Sequence, residues 1–288
     1  MDGETSGQIA GKPADLPAAD LPKADLPKSD LGVRTVSAVV MLAVAGGALA
    51  LGGYVWGLFV ALVAGGCLWE WSRLARGQTD GPVGQTAWFF AGAVYIGVAA
   101  EMLLMLRMEA QMMRGPLVLL VVLVVVATDV GAYFTGRTLG GLKIAPSISP
   151  SKTWSGLGGG MLAAALVAAL FLQVAMCGFA SHSPFSVCSS AAFWKMRLAV
   201  AGYGALAALV AQGGDFLESW MKRRAGVKDS GSLIPGHGGL LDRVDGLLAV
   251  LFVLGAIQAV AMVDRPKPHL ATINHVDQKV DIVNGKPN

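Results

Sequence analysis

The chain has 288 residues, of which 54% are hydrophobic and only 14% are charged, and its mean hydropathy is +0.59. This composition excludes an ordinary soluble domain, because several stretches are long enough to cross a hydrocarbon core, which takes about 20 apolar residues per helix. The net charge of +3 is small and says less than the positions of the charges; no nucleic-acid partner is expected.

Residues 1–34 are predicted to form a disordered cytoplasmic tail. The sequence Asp-Leu-Pro recurs at Asp15–Pro17, Asp20–Pro22 and Asp25–Pro27. Regularly spaced prolines remove backbone donors and prevent a continuous helix, so we expect an extended segment without a catalytic role. The acidic N-terminus has no basic segment followed by an apolar one, and no cleaved signal peptide is expected.

Residues 35–264 are predicted to form an all-α transmembrane catalytic domain, a polytopic helix bundle of about seven spans with an upper bound of about nine. Hydrophobicity is nearly continuous from Val36, and small residues recur within it, as is typical where helices pack closely in lipid. Residues 265–288 are predicted as a polar C-terminal tail. The predicted spans are Val36–Gly53, Tyr54–Ser72, Trp88–Leu106, Pro116–Thr135, Leu157–Met176, Leu198–Leu217 and Leu247–Val263.

The distribution of Lys and Arg predicts the orientation of the bundle. With the N-terminus inside, the inner connections carry more of these residues than the outer ones, as cytoplasmic loops do. We therefore expect an integral protein of a bacterial cytoplasmic (inner) membrane with its chemistry on the cytoplasmic side. An odd number of spans puts the C-terminus outside, and one missed span would reverse that.

Three cysteines match no metal-binding spacing. Cys67 lies in an apolar run and is expected to be an inert small side chain. Cys177 and Cys188 flank one polar loop, and they could pair if that loop faces an oxidising compartment. The sequence leaves both alternatives open.

Two polar groups interrupt the middle of the chain. Asp129, beside Thr128, lies in the otherwise apolar fourth span, where an ionisable group is a functional candidate and a buried structural ion pair is the alternative. A short turn then enters the fifth span, and Ser149, Lys152 and Thr153 could hold phosphate there. Trp154, which follows them, has the alternative role of an interfacial anchor.

The sixth span ends in a charged helix face. Asp215, Glu218 and Lys222 recur at intervals of three and four residues, which places them on one side of a helix with Ser219 nearby. Two carboxylates this close in a poorly solvated place repel each other, and a bound cation removes that penalty. The alternative is an interfacial cluster that only anchors the helix end.

A glycine-rich loop follows, from Lys228 to Gly239. Its glycines leave the backbone free to turn N–H groups inward, as loops that cradle phosphates do, although it is not a Walker A loop. His237 between two glycines could bond a phosphate or shuttle a proton. The alternative is an ordinary hydrogen-bonding loop histidine.

The last span opens with acids. Asp242 is the candidate for a second metal carboxylate opposite Asp215, and Asp245 lies three residues further on. Arg243 could pair with a carboxylate or a phosphate in bidentate fashion. Acids at a helix start also complement the positive end of the helix dipole, which explains one of them without any metal.

Together these residues resemble the CDP-diglyceride synthetase family, that is, phosphatidate cytidylyltransferase. The family signature runs Ser, any residue, an aliphatic residue, Lys-Arg, four residues, Lys-Asp, Pro-x-His-Gly-Gly and Asp-Arg-x-Asp. One departure is Ser155, where the family usually has an acid. The matching positions are Ser219, Met221, Lys222-Arg223, Lys228-Asp229, Pro235-Gly236-His237-Gly238-Gly239, Asp242-Arg243 and Asp245.

The resemblance implies transfer of CMP from CTP to phosphatidic acid, which gives CDP-diacylglycerol and pyrophosphate. It also implies Mg²⁺ together with a monovalent cation such as K⁺, held by Asp215 and Asp242, with catalytic or supporting roles for Asp129, Glu218 and Asp245. The residues that it implies for phosphate binding are Lys152, Lys222, Arg223, Lys228, His237, Gly238, Gly239 and Arg243.

Two other functions fit the sequence less well. An ion-coupled transporter would spread its charges through the bilayer and show related halves, whereas the charges here cluster on one side and no repeat is seen. A CDP-alcohol phosphotransferase would carry the pattern Asp-Gly…Ala-Arg…Gly…Asp…Asp, and Asp245-Gly246 is not followed by it. The expected partners are the two substrates and membrane lipid, with a homodimer left open.

Overall fold

The computed structural model describes residues 30–108, 116–177, 188–234 and 238–264. These residues form seven long helices and one short hairpin. The Asp-Leu-Pro repeats, the C-terminal tail and His237 lie outside the described residues. The helices are α1 Asp30–Leu51, α2 Gly53–Arg76, α3 Pro82–Met108, α4 Pro116–Thr138, α5 Trp154–Cys177, α6 Ala191–Arg224 and α7 Leu241–Val263.

Six of the helices in the described part of the chain are long and apolar enough to cross a membrane, namely α2 to α7. The apolar stretch of α1 is shorter, Thr35–Leu51, although α1 itself begins at Asp30, inside the predicted tail. The all-α, polytopic prediction is confirmed, and an integral membrane protein follows from it. The predicted spans correspond to the seven helices one by one.

The helix ends differ from the predicted ends mainly at α6. This helix continues past the predicted Leu217 to Arg224, so its last turn carries three basic residues, Lys222, Arg223 and Arg224. Cations near a helix C-terminus interact favourably with the dipole, which lets the charged face extend the apolar helix. The charged face and the membrane span therefore belong to one continuous helix.

Small residues bring α4, α5, α6 and α7 into close contact. A methyl group at Gly160 of α5 would lie 2.8 Å from the carbonyl oxygen of Thr128 on α4, and one at Gly204 of α6 would lie 2.8 Å from that of Ala164 on α5. Gly214 of α6 likewise faces the carbonyl oxygen of Asp245 on α7, at 2.6 Å from such a methyl. Backbones that approach this closely hold the polar ends of the helices together.

A two-stranded antiparallel hairpin connects α4 to α5, where the sequence predicted only a turn. Strand β1 is Lys143–Ala145 and strand β2 is Ser149–Thr153. Arg223 at the end of α6 donates from Nε to the carbonyl of Ile148, at 3.4 Å, and so ties the hairpin to α6.

Cys177 and Cys188 form a disulfide, which decides the alternative that the sequence left open. Cys67 is free and buried, as predicted. The disulfide joins the C-terminal end of α5 to the residues just before α6. It therefore lies at the opposite end of these helices from Lys152 and Lys222.

Candidate active site

One end of the bundle collects the polar side chains of five helices. The C-terminal halves of α2, α4 and α6 meet there with the N-terminal ends of α5 and α7. The contacts that join them are Lys222 of α6 with Asp242 of α7, and Lys152 beside α5 with Asp215 of α6.

Three carboxylates form the centre of this end. Oxygen atoms of Asp215, Glu218 and Asp245 all lie within 4.8 Å of one another. Glu218 is 4% exposed, and its Oε1 has no hydrogen-bond partner among the described residues. Such a buried, unpaired carboxylate oxygen is costly, and a hard divalent cation, which prefers oxygen ligands, would relieve both that cost and the mutual repulsion. The residues present therefore fit a Mg²⁺ site.

Asp242, which the sequence predicted as a second metal ligand, contacts protein groups with both of its carboxylate oxygens. Its Oδ1 lies 2.5 Å from Lys222 Nζ. Its Oδ2 accepts from the backbone N–H groups of Ser230 and Gly239 and from Ser230 Oγ, each at 3.0 Å. Both oxygens thus have protein partners. The acid whose oxygen lies within 4.8 Å of those of Asp215 and Glu218 is Asp245, and a metal-binding role for Asp242 stays a prediction.

Lys222 lies between two acids. Its Nζ contacts Glu218 Oε2 at 2.9 Å and Asp242 Oδ1 at 2.5 Å, and its side chain is 14% exposed. The predicted binding of phosphate by Lys222 stays a prediction; in this structure its ammonium links α6 to α7 and neutralises part of their negative charge. In that position it orients Glu218 toward the acid cluster.

A cavity of about 410 Å³ opens beside the cluster. Asp215 reaches its wall, where Oδ2 pairs with Lys152 Nζ at 2.5 Å, and Lys152 also lies 4.5 Å from the ring centre of Phe216. Asp129 of α4 lines the same cavity, and its functional role stays a prediction. The full lining is Asp129, Ala132, Tyr133, Gly136, Arg137, Lys143, Ser151, Lys152, Thr153, Gly156, Gln212 and Asp215.

The wall of the cavity carries three cationic side chains against two acids, Asp129 and Asp215. Arg137, Lys143 and Lys152 line it, and Arg137 donates to Tyr133 Oη at 2.6 Å. The N-terminus of α5 begins beside Lys152, so the positive end of its dipole adds to the field of the cations. The arrangement suits a ligand with several negative charges.

Two of the residues predicted to hold phosphate have structural contacts, Thr153 through its hydroxyl and Ser149 through strand pairing. Thr153 Oγ1 accepts from the N–H of Gly156 at 3.1 Å and is 3% exposed, so Thr153 caps α5. Ser149 begins β2 and pairs with Ala145 of β1. Ser155, which stands where the family usually has an acid, donates to the carbonyl of Gly140.

The other basic residues that were predicted to bind phosphate lie at the same end of the bundle, and their side chains are exposed. Arg223 contacts the hairpin, while Lys228 and Arg243 flank the glycine-rich loop. Gly238 of that loop has φ +83°, a conformation that favours glycine. Its carbonyl accepts from the N–H of Ile234 at 3.1 Å, which closes the loop.

The sequence analysis missed Glu70, a fully buried acid of α2. Its carboxylate accepts from Ser230 Oγ at 2.9 Å and from the N–H groups of Leu240 and Leu241 at 3.0 and 2.8 Å. The signal was available, because Glu70 interrupts an apolar span just as Asp129 does.

The comparisons with known proteins agree with this geometry. Residues 77–260 match the sequence profile described as the cytidylyltransferase family. The chain is 44% identical over 175 residues to a phosphatidate cytidylyltransferase of Brucella suis, a match that covers 60% of this chain and 58% of that relative. It is 33% identical over 197 residues to one of Haemophilus influenzae, which covers 68% and 62% of the two chains.

A third relative is covered more fully. The chain is 32% identical over 197 residues to a phosphatidate cytidylyltransferase of Rickettsia bellii, which covers 68% of this chain and 77% of that one. The chain thus spans less than two thirds of the length of the Brucella suis and Haemophilus influenzae relatives. The family match includes the acid cluster and the cationic cavity but begins after Glu70.

Proposed function

The chain belongs to the cytidylyltransferase family, and from that premise we propose that it transfers CMP from CTP to phosphatidic acid, with CDP-diacylglycerol and pyrophosphate as products. The observation that carries the proposal is the acid cluster of Asp215, Glu218 and Asp245 beside a cationic cavity at one end of a membrane bundle. Transfer between two anionic phosphates uses both, because a metal ion and cationic side chains together offset the charge of the reactants.

The reaction joins two polyanions. An anionic oxygen of the lipid phosphate attacks the α-phosphorus of CTP, a new P–O bond forms, and the bond to the departing pyrophosphate breaks. Because the nucleophile is already charged, no strong general base is needed, and the barrier is lowered mainly by positioning and by neutralising charge.

The cavity supplies that neutralisation from the chain itself. Arg137, Lys143 and Lys152 would bind phosphate oxygens, assisted by the N-terminus of α5. Lys152 also pairs with Asp215, so its ammonium lies between the cavity and the acids. This position would hold a phosphate group next to the acid cluster.

Asp215, Glu218 and Asp245 would hold Mg²⁺. The ion, when bound, would offset charge on the phosphates and on the departing pyrophosphate. Lys222 fixes Glu218 through its contact at 2.9 Å, which leaves the other carboxylate oxygen directed to the cluster. A second, monovalent cation such as K⁺ stays a prediction, to be tested by the dependence of activity on K⁺.

We further propose that this end of the bundle faces the cytoplasm of a bacterial inner membrane. Two independent features support that orientation. Lys and Arg are concentrated in the connections at this end. The disulfide lies at the other end of α5 and α6, and disulfides persist on the oxidising side of a membrane.

The direct test is synthesis of CDP-lipid by the purified full chain. Labelled CTP, phosphatidic acid and Mg²⁺ are supplied in detergent micelles, and product is separated by thin-layer chromatography. We expect product only when lipid and Mg²⁺ are both present, and a loss on the order of 100-fold in Asp215→Asn. An inactive wild-type protein, or a fully active Asp215→Asn, would refute the proposal.

The transporter alternative gains no support. The relatives are named as phosphatidate cytidylyltransferases. In addition, the three carboxylates that could hold a metal ion in the described part of the chain lie together at one end of the bundle. They do not form a path through it.

A further inference from the structure

Glu70 is the most completely enclosed acid among the described residues, with 0% of its surface exposed. It lies on α2 between the buried Cys67 and Trp71, near the end of the bundle that carries the acid cluster. A carboxylate in such a place is costly unless hydrogen bonds compensate the lost hydration. Its contacts therefore indicate what it stabilises.

Both oxygens of Glu70 reach the start of α7. Oε1 accepts from the N–H of Leu240, and Oε2 accepts from the N–H of Leu241. The first N–H groups of a helix have no partner within the helix, and α7 has no side-chain cap of its own. Glu70 supplies that cap from another helix, with its negative charge at the positive end of the dipole.

Ser230 extends this contact to the acid cluster. Its Oγ lies 2.9 Å from Glu70 Oε2 and 3.0 Å from Asp242 Oδ2, so its single hydroxyl proton is shared between the two carboxylates. Asp242 Oδ1 forms an ion pair with Lys222 Nζ, which also forms an ion pair with Glu218 Oε2. An unbroken series of polar contacts therefore runs from α2 to the proposed cation site.

Two glycines of the loop make room for this network. A methyl group at Gly239 would lie 2.7 Å from Glu70 Oε2 and 2.8 Å from Asp242 Oδ2, and one at Gly231 would collide with the Glu70 carboxylate. The glycine content of the loop was predicted to free its backbone for phosphate. At these two positions it admits the anchoring carboxylates instead.

We propose that Glu70 is a positioning residue for the transfer reaction. It anchors the segment around Ser230 and the start of α7 to α2, and through Ser230 it sets the orientation of Asp242 and Lys222. The activity readout of this inference rests on the proposed function, whereas the anchoring itself does not.

The test uses Glu70→Gln, which keeps the shape of the side chain but turns one acceptor into an N–H₂ group facing N–H donors. We expect kcat to fall about 10- to 100-fold, the usual effect of losing a group that orients a metal ligand, with little change in the KM for CTP. The matched control is Glu101→Gln, an acid on α3 with an exposed side chain that lines a different cavity. Glu101→Gln should keep wild-type kcat.

A double-mutant cycle tests the route through Ser230. If Glu70 acts through that hydroxyl, Ser230→Ala combined with Glu70→Gln loses little more kcat than Glu70→Gln alone. Fully multiplicative losses would overturn the route. If Glu70→Gln cannot be purified folded, Ser230→Ala alone carries the test, and an unchanged kcat in it would overturn the inference.

Limited trypsin digestion gives a readout without activity. Lys228 is exposed in the anchored loop, and we expect cleavage after it to be faster in Glu70→Gln than in wild type or Glu101→Gln. If the wild-type protein is inactive, the proposed function is refuted, and the cleavage rates alone test whether Glu70 anchors the loop. Active wild type, with kcat and cleavage both unchanged in Glu70→Gln, would refute the role of Glu70.

Discussion

At the scale of single residues, the acids of α6 and α7 divide into two groups by what they contact. Asp242 has a cation at one oxygen and three donors at the other. Asp245 and Glu218 instead approach Asp215, and one oxygen of Glu218 is unpaired within the described chain. The contacts of Asp242 join α6, α7 and the loop, whereas the carboxylates of Asp215, Glu218 and Asp245 converge on one another, and we expect the ion there.

This division predicts opposite phenotypes for two similar substitutions. Asp245→Asn should lower CDP-lipid synthesis on the order of 100-fold and raise the Mg²⁺ concentration needed for half-maximal rate, because a ligand is lost. Asp242→Asn should instead leave the Mg²⁺ dependence unchanged and destabilise the fold by about 2 kcal/mol, because Lys222 keeps only Glu218 as counter-charge and a charged acceptor becomes an amide. Its kcat should fall as well, because Lys222 and Glu218 are then less well oriented. Rates titrated with Mg²⁺ and thermal unfolding in detergent measure the two effects.

Equal stability loss in both variants, with no change in Mg²⁺ dependence for Asp245→Asn, would contradict this division. It would mean that Asp245 belongs to the structural group. Asp215→Asn serves as the reference for a lost ligand, and its Mg²⁺ dependence should resemble that of Asp245→Asn.

At the scale of elements, the register of two antiparallel helices decides which acids meet. Gly214 of α6 lies opposite Ala249 of α7, and a methyl group there would be 2.6 Å from the Ala249 side chain and from the carbonyl of Asp245. In the same register Lys222 meets Asp242 at the helix ends. Asp215 lies about 10 Å of helix from Lys222 and therefore meets the deeper Asp245 rather than Asp242.

The close approach at Gly214 predicts that Gly214→Ala separates α6 from α7. We expect synthesis of CDP-lipid to fall about 10- to 100-fold, because small displacements of reacting groups are costly. The neighbouring Gly213→Ala is the matched control, since a methyl group there meets nothing within 4 Å. Equal activity of the two variants would show that the contact does not position the acids.

At the scale of the whole molecule, the polar site and the disulfide occupy opposite ends of the bundle. Lys152 and Lys222 lie at one end of α5 and α6, and Cys177 and Cys188 lie at the other. A membrane separates reducing from oxidising compartments, so the two ends are expected to face different sides. The sequence leaves a homodimer open, and mass determination in detergent is the test.

Thiol labelling in spheroplasts tests this orientation. After an impermeant reductant, an impermeant maleimide should label Cys177 and Cys188 from outside, whereas Lys228→Cys should be labelled only after the membrane is broken. Cys67 is buried and should stay unlabelled in the folded protein. Labelling of Lys228→Cys in intact spheroplasts would reverse the proposed topology.

The sequence by itself determined the membrane bundle and the composition of its polar end. Crossing a hydrocarbon core depends on local apolar length, which can be counted along the chain, and the charged motif from Ser219 to Asp245 is contiguous enough to be recognised. These features need no knowledge of how the helices pack. They were therefore predicted correctly.

Only the tertiary structure decided which of these groups work together. The pairing of Asp215 with Asp245 depends on the register of α6 against α7, and the capping of α7 by Glu70 joins residues about 170 positions apart. The disulfide likewise depends on how close the end of α5 lies to the residues just before α6. Contacts between distant segments are set by helix packing, and packing depends on the shape of every neighbouring side chain at once.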